Sequence, residues 1–396
     1  YAWTGQESVK ILFVADVPPD PDSGAAGTEY QTIRALRAAG HEVDTLWSSD
    51  LSHRITHGNL HYLLEQPRAY RSAIAACMKE CDYDVVHANQ SAAYLAARGH
   101  QKREGRAVFV CRSHGFELRA IETLAHWSKK LGVEQRRFPR SLPGYLIDAG
   151  IARSCRLAAR YADGHIISCT EDRDFLINRF AVPAEQVACI AQAAPDSYLQ
   201  EPKAMHAGRS RRLLMVGPAR LWKGVHILAQ AWNRLAERDA ELNLTWVCSD
   251  QDWAEAESLF SPAAKQQITR IQPLPQDALM ALYDTHGVFL FPSLFEGFGK
   301  APLEAMARGL CVIASDTGGM RDLIDSGRNG LLFETGSASQ LESAIAELCS
   351  NEDRACRMGA SARESAMHYS WGRVASETVA FYQKLIERKQ RQRVAG

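Results

Sequence analysis

Two carboxylates, Glu296 and Glu304, stand eight positions apart in the stretch FEGFGKAPLEAMARG, Phe295 to Gly309. Gly297, Phe298, Gly299, Lys300 and Pro302 lie between them. The apolar run Gly287 to Phe291 just before reads as a strand. Pro302 suits the first turn of a helix, and Leu303, Met306, Ala307 and Leu310 fall on one helical face. A helix start offers free N–H groups and a partial positive charge, which is chemistry for holding phosphate. The glycines let backbone donors approach a ligand closely. Taken singly, Glu304 reads equally well as a capping glutamate near the third helical position, and Glu296 as a solvated loop acid. Those readings leave Glu296 and the paired glycines without a common reason.

Four other loops carry groups that can do chemistry. In VGPARLWKG, Val216 to Gly224, Arg220 and Lys223 are cations at a strand end, suited to offset negative charge on a leaving group; surface cations at a turn are the plainer alternative. In PPDPDSGAAGTEYQTIRAL, Gly24 and Gly27 precede a helix that Thr28 can cap. In CRSHGFE, Cys111 to Glu117, His114 stands at the carboxyl end of a strand, where it can donate a hydrogen bond or shuttle a proton. In SDTGGMRD, Gly318 and Gly319 precede another helix start; they line a ligand pocket or make a simple strand–helix turn. Asp20-Pro21-Asp22 and Asp250-Gln251-Asp252 mimic a metal-binding DxD motif, but paired aspartates are common turn chemistry, and no metal is assigned.

These loops need strands to end in and helices to lead into. Val9–Val14, Val43–Trp47, Asp84–His87, Ala107–Cys111, His165–Ser168 and Val187–Ile190 are strand-like runs with helical stretches between them, the first helix running from Thr28 to Ala39. After the polar stretch Glu201–Arg212 the pattern restarts, with strands at Leu213–Val216, Leu244–Cys248, Gly287–Phe291, Cys311–Ala314 and Gly330–Phe333. Gly224–Arg238, Gln340–Leu348 and Val374–Arg388 read as helices. Short apolar runs alternating with helices predict parallel sheets covered on both faces. The expected fold is α/β, with two Rossmann-like, doubly wound domains: 1–195 and 196–373, with 374–396 packing back on the first. A length of 396 residues suits two such cores. Ligands in open α/β sheets collect at the carboxyl ends of the strands, where these loops lie.

Composition excludes several classes. Basic and acidic residues number 46 each, so bulk charge does not point to nucleic acid. The ten cysteines form no CxxC pair and several sit in apolar runs, which predicts reduced, buried thiols in a cytosolic protein. No apolar run reaches a membrane span, and YAWTGQESVK lacks the features of a signal peptide. From Arg119 to Arg140, Lys129, Lys130, Arg136 and Arg137 interleave with Leu124, Trp127, Leu131 and Phe138. Such a stretch suits either a solvated face or a peripheral contact with anionic lipid. No GxGxxG follows the first strand, which argues against a nicotinamide dehydrogenase.

Glu296 and Glu304, with GFGKAPL between them, resemble the E-x7-E motif of the retaining glycosyltransferases of family 4, and EAMARGLCVIASDTGGMRDLIDSGRNGLLFETGSASQL is similar to that family nearly end to end. The resemblance implies a GT-B fold, two Rossmann-like domains facing a central cleft. It also implies a nucleotide-diphosphate sugar as co-substrate with no cofactor or metal, and a carbohydrate or lipid-linked hydroxyl acceptor. It places Glu304 on the donor ribose, Glu296 toward the transferred sugar, and Phe298, Gly299, Lys300 and Leu303 along the donor. Gly24 and Gly27 correspond to a loop closing over the donor phosphate, and Gly318 and Gly319 to the donor pocket. His114 corresponds to a histidine near the reacting sugar, with Glu117 on the acceptor side. Lys223 matches a family lysine on the diphosphate, while Arg220 lies two residues after the usual arginine. Relatives carry an Asn-Gly or His-Gly where this chain has Gln192-Ala193. The expected activity is hexosyl transfer in bacterial polysaccharide, glycolipid or glycoconjugate synthesis, in the cytoplasm or at the inner face of the membrane. A non-catalytic GT-B subunit and a GT-B sugar-nucleotide epimerase are the rival readings.

Overall fold

The computed structural model describes residues 8–21, 23–56, 58–133, 142–201 and 208–395. The chain divides into two compact units. The first comprises Tyr1–Glu122, Glu134–Gln192 and Trp371–Gly396, and the second Thr123–Val133 and Ala193–Ser370.

The first unit holds β1 (Lys10–Val14), β2 (Glu42–Leu46), β3 (Val85–Asn89), β4 (Val108–Arg112), β5 (Gly164–Ile167) and β6 (Val187–Cys189), in the order β2-β1-β3-β4-β5-β6. Every pairing is parallel. β3 and β4 are central and buried along their whole length, which is why VVHAN and VFVCR read as nearly continuous apolar runs. The chain's last helix, Trp371–Ala395, belongs to this unit. Gly164 makes room for it, since a Cβ there would come within 2.4 Å of Leu385.

The second unit holds β7 (Arg212–Val216), β8 (Asn243–Val247), β9 (Ile268–Ile271), β10 (Val288–Phe291), β11 (Cys311–Ser315) and β12 (Gly330–Phe333), in the order β12-β11-β10-β7-β8-β9, again all parallel. The sheet's topological switch point lies between β7 and β10. β9 is absent from the expected strands: ITRI is a half-exposed edge strand with no apolar run to announce it. The first helix also departs from expectation. It spans Ala25–Ala38, because Ser23 Oγ accepts from the Gly27 N–H at 3.3 Å and starts the helix ahead of Thr28. Thr28 therefore sits inside the helix, where its hydroxyl donates to the Gly24 carbonyl at 3.0 Å.

Thr123–Val133 departs from the expected basic face. Trp127 is buried in the second unit's apolar core, with the Lys130 ammonium 4.4 Å from its ring centroid. Arg119, in the first unit, is buried on Asp172 at 2.5 Å. The stretch from Arg119 is thus only partly a solvated basic face. Glu134, Arg136, Arg137, Phe138 and Arg140 lie outside the described residues. All ten cysteines are free thiols. Among the described residues no helix is long and apolar enough to cross a membrane.

Candidate functional site

Lys223 and Glu296 meet at the switch point of the second sheet. The loop after β7 turns through a short 3-10 helix, Leu221–Lys223, and ends at Gly224 with φ +71. A side chain at Gly224 would strike the Pro292 carbonyl, 1.8 Å from the ideal Cβ, so this turn needs glycine twice over. The loop after β10 is tied to it by Leu294 N–H donating to the Trp222 carbonyl at 2.8 Å. Lys223 Nζ then lies 2.6 Å from Glu296 Oε2, with both side chains mostly buried. The same ammonium stands 4.6 Å from the centroid of the Phe291 ring. A cation at a strand end, paired with a carboxylate and partly open to solvent, is suited to receive an anionic group.

Glu304 lies on the helix Lys300–Ala307. It is the fifth helical residue and makes no capping bond, so the capping reading fails. Its carboxylate is buried, with Tyr283 Oη donating to Oε2 at 3.3 Å and Lys300 Nζ 3.9 Å from Oε1. Burial pushes this carboxyl above the usual range, against the pull of Lys300 and Tyr283. Leu303 is buried in the core and Phe298 packs on Tyr369 at 5.9 Å, so both shape the loop from behind. Gly299 takes φ +92 at the helix start. Gly318 and Gly319 face the same loop: a Cβ on either would lie 2.2 Å from the Glu296 carbonyl or 2.4 Å from that of Phe298. Gly319 N–H also donates to the Gly297 carbonyl at 2.6 Å. These two glycines clamp the Glu296–Gly299 loop.

Arg220 is not brought to Lys223. Its Nε lies 2.8 Å from Asp252 Oδ1, and its guanidinium also bonds Glu255. Asp252 is held by Ser249, which caps the helix Asp250–Ala256, and Asp250 pairs with Arg270. This aspartate pair is occupied with helix capping and ion pairs. Asp22 of the other pair lies outside the described residues.

In the first unit, His114 follows β4 and bonds the carboxylate of Glu29 through Nε2. Gln192 Nε2 stands 3.4 Å from its Nδ1, and Thr28 Oγ1 stands 3.2 Å from Gln192 Oε1. Glu29 is fully buried, accepting from Asn89 Nδ2 at 2.7 Å with Arg112 NH1 at 3.7 Å. Burial pushes the Glu29 carboxyl up, but the charges of Arg112 and His114 outweigh it and hold the group down at about 2. Gly24 is the N-cap of the helix that carries Glu29, where a Cβ would meet nothing within 4 Å, and Gly27 lies in its first turn, where a Cβ would lie 2.6 Å from the Pro21 carbonyl. Ala193 is buried and is not among the residues with positive φ. Glu117 takes the Ser91 N–H at 3.1 Å and lies 3.3 Å from Tyr62 Oη, bracing the turn after β3.

Glu29, Asn89, Arg112 and Tyr283 were not singled out from sequence. A signal existed for two of them. Glu29 sits on the helical stripe shared with Ile33 and Leu36, and Arg112 ends an otherwise apolar strand. A charge on a buried face needs a partner. One group of described residues has metal-competent atoms within 4.8 Å of each other: Asp16, His53 and His61. His61 is already bonded on both sides, to Asp16 and Glu65, each at 3.0 Å.

Residues 23–194 match the family described as Glycosyltransferase Family 4, and residues 199–365 match Glycosyl transferases group 1. A D-inositol 3-phosphate glycosyltransferase of Corynebacterium urealyticum is 30% identical over 178 residues, 43% of this chain and 42% of that protein. The chain spans about half the length of the curated relatives it matches first. Among solved structures, sucrose-phosphate synthase from Thermosynechococcus elongatus superposes with a TM-score of 0.72 at 20% identity, covering 95% of this chain and 99% of that one. HepE from Anabaena in complex with UDP-glucose gives 0.65 at 18% identity, covering 94% and 99%. The two parallel six-stranded sheets are those of the GT-B fold.

Proposed function

For a chain that belongs to the glycosyltransferases, with a family 4 domain ahead of a group 1 domain in the GT-B fold, we propose that it transfers a hexosyl group from a nucleotide-diphosphate sugar to a hydroxyl acceptor with retention. One observation carries the reading: Lys223 and Glu296 are paired at 2.6 Å at the switch point of the second sheet, beside the start of the helix that bears Glu304. The donor's diphosphate takes Lys223, whose ammonium offsets the charge that grows as the bond from anomeric carbon to phosphate oxygen breaks. Glu296, released from Lys223, faces the transferred sugar, and the N–H groups near Gly299 and Lys300 receive its hydroxyls or phosphate. Glu304, oriented by Tyr283, accepts the ribose hydroxyls. The UDP-glucose bound by the HepE neighbour supports this donor class.

The acceptor is assigned to the first unit, where Glu29 holds His114 by Nε2 and a sugar hydroxyl would take the place of the long Gln192 Nε2 contact, 3.4 Å, on Nδ1. The acceptor hydroxyl forms the new bond on the face that the diphosphate leaves, and its proton goes to the departing phosphate oxygen. No metal enters the scheme, so activity should survive EDTA. Retention, a place in bacterial envelope glycan or glycolipid synthesis and a cytoplasmic site of action are further parts of this proposal. A peripheral contact with anionic membrane would rest on the exposed Lys129 and Lys130 together with residues 134–140. Flotation with liposomes tests it and fails if the parent protein never floats.

The test of the main reading is a thermal-shift screen against UDP-, GDP- and ADP-sugars, followed by transfer or hydrolysis of the hit. A stabilising sugar nucleotide that Lys223→Ala no longer recognises is the expected result. No shift with any of them would overturn the donor assignment. Arg220, turned to Asp252 and Glu255, favours one alternative, a non-catalytic subunit; binding without turnover under every acceptor tried would support it.

A further inference from the structure

In the first unit, the helices Gln66–Glu80 and Tyr94–Lys102 border a cavity of about 270 Å³ lined by Arg71, Leu95, Arg98, Gly99, Lys102 and Arg103. Four of these six residues are cations and none is an acid, in a chain whose charges balance at 46 each. Among the described residues no carboxylate pairs with any of the four. The buried arginines Arg112, Arg119 and Arg308 are matched, with Glu29, Asp172 and Asp284, whereas these four cations are exposed. Arg98 instead has its guanidinium 5.7 Å from the centroid of the Tyr161 ring, which holds a charge in place while leaving in-plane donors for a ligand.

A plainer account is that Lys102 and Arg103 answer the partial negative charge at the end of their helix. It does not reach Arg98, a full turn earlier, or Arg71 on the neighbouring helix. Gly99 adds a second, independent observation. It sits inside a helix, where glycine is unfavourable relative to alanine. Its φ is not positive, and a Cβ there would meet nothing within 4 Å. Neither backbone nor packing asks for glycine, and Gly99 lines the cavity beside the cations, with room for a small side chain.

We propose that this cavity is a binding site for a phosphate-bearing anion, with Arg71, Arg98, Lys102 and Arg103 as its donors and Leu95 as its apolar wall. Guanidinium groups bind phosphate oxygens in pairs of parallel hydrogen bonds, and 270 Å³ leaves room for a small body attached to the phosphate. The anion is either a soluble phosphorylated molecule or the phosphate of a lipid headgroup.

Titration of the full chain with inorganic phosphate by calorimetry, and sedimentation with vesicles of phosphatidic acid and phosphatidylcholine (30:70, against pure phosphatidylcholine), test the proposal. Gly99→Glu places a carboxylate in the open space, and Gly99→Ala is its fold-preserving control. Phosphate binding should weaken at least about tenfold in Gly99→Glu and persist in Gly99→Ala. Should Gly99→Glu not fold, the double variant Arg71→Gln/Arg103→Gln gives the same reading. Sedimentation with the anionic vesicles that Gly99→Glu abolishes identifies a lipid source; phosphate binding without sedimentation identifies a soluble one. Parent affinity unchanged in both variants, or no phosphate binding at millimolar concentration, overturns the proposal.

Discussion

At the carboxyl edge of the first sheet Glu29 is fully buried, its charge matched by Arg112 and its Oε1 hydrogen-bonded to His114 and to the Asn89 amide. At that of the second, Lys223 and Glu296 keep 17% and 18% of their side chains exposed. The difference is one of commitment to the fold. Glu29 cannot leave without stranding a buried guanidinium, so it serves by holding His114 still. Glu296 and Lys223 are less committed to the fold, since solvent reaches part of both side chains. A fixed acid–imidazole pair suits a group that must keep one ring nitrogen aimed, and a separable pair suits a site that must admit a polyanion. Replacing each acid or its partner should break this contrast in opposite ways.

The largest effect is expected from Glu29→Ala. It leaves Arg112 buried and uncompensated, which costs about 3–5 kcal/mol; denaturant unfolding measures it. Glu29→Gln, with less of that penalty, separates the positioning role. It should lower kcat with KM for the donor unchanged, and should change the 15N signature of the His114 tautomer. An unchanged signature would mean that Glu29 does not orient the ring.

Next is Lys223→Ala, which should reduce kcat about 10²–10³-fold while costing less stability than Glu29→Ala, because the Lys223–Glu296 pair is part-exposed where Glu29 is fully buried. Comparable losses of stability at Lys223 and Glu29 would erase the contrast between the two edges.

Acid should act on the units with opposite signs. Glu29 is held at about 2 in the fold, below the ordinary carboxyl value of roughly 4.3. Its contribution is present above that ordinary value and is lost as pH falls toward about 2, a loss on the order of 3 kcal/mol. Glu304 is raised by burial. In the window just above the ordinary value the folded state holds its proton more tightly, so this group favours the fold as pH falls through that window. Hydrogen exchange followed from pH 6 to pH 3 should therefore show the first unit loosening before the second. The reverse order would sink the assignment of the two acids.

These differences also explain what could be read from sequence. Eleven of the strands announce themselves by apolar runs, whereas β9, an edge strand with two exposed residues, does not. Glu296, Lys223 and Glu304 were legible because glycines and a proline mark their loops. Their pairing was not: Lys223 and Glu296 lie 73 positions apart, and only the adjacency of β7 and β10 brings them together. Arg112 and Glu29, 83 positions apart in sequence, were hidden by the same non-locality. Arg220 shows the converse. Its position beside Lys223 in sequence suggested a shared ligand, and the Ser249-capped helix that follows β8 drew it away instead.

The smallest expected effect is that of Arg220→Ala, and it bears most directly on the second edge. The guanidinium is 33% exposed and already satisfied by Asp252 and Glu255. Removing it loses two part-exposed ion pairs worth about 0.2–1 kcal/mol each and takes nothing from Lys223. Transfer rate should fall less than about threefold, and donor KM should hold. An Asp252→Asn/Glu255→Gln double variant sharpens the point, since it frees Arg220 to swing toward the diphosphate loop. If that variant binds donor more tightly, and Arg220→Ala then cancels the gain, the acids are a restraint on a latent second cation. If neither change moves donor affinity, Lys223 is the cation on which the second edge depends.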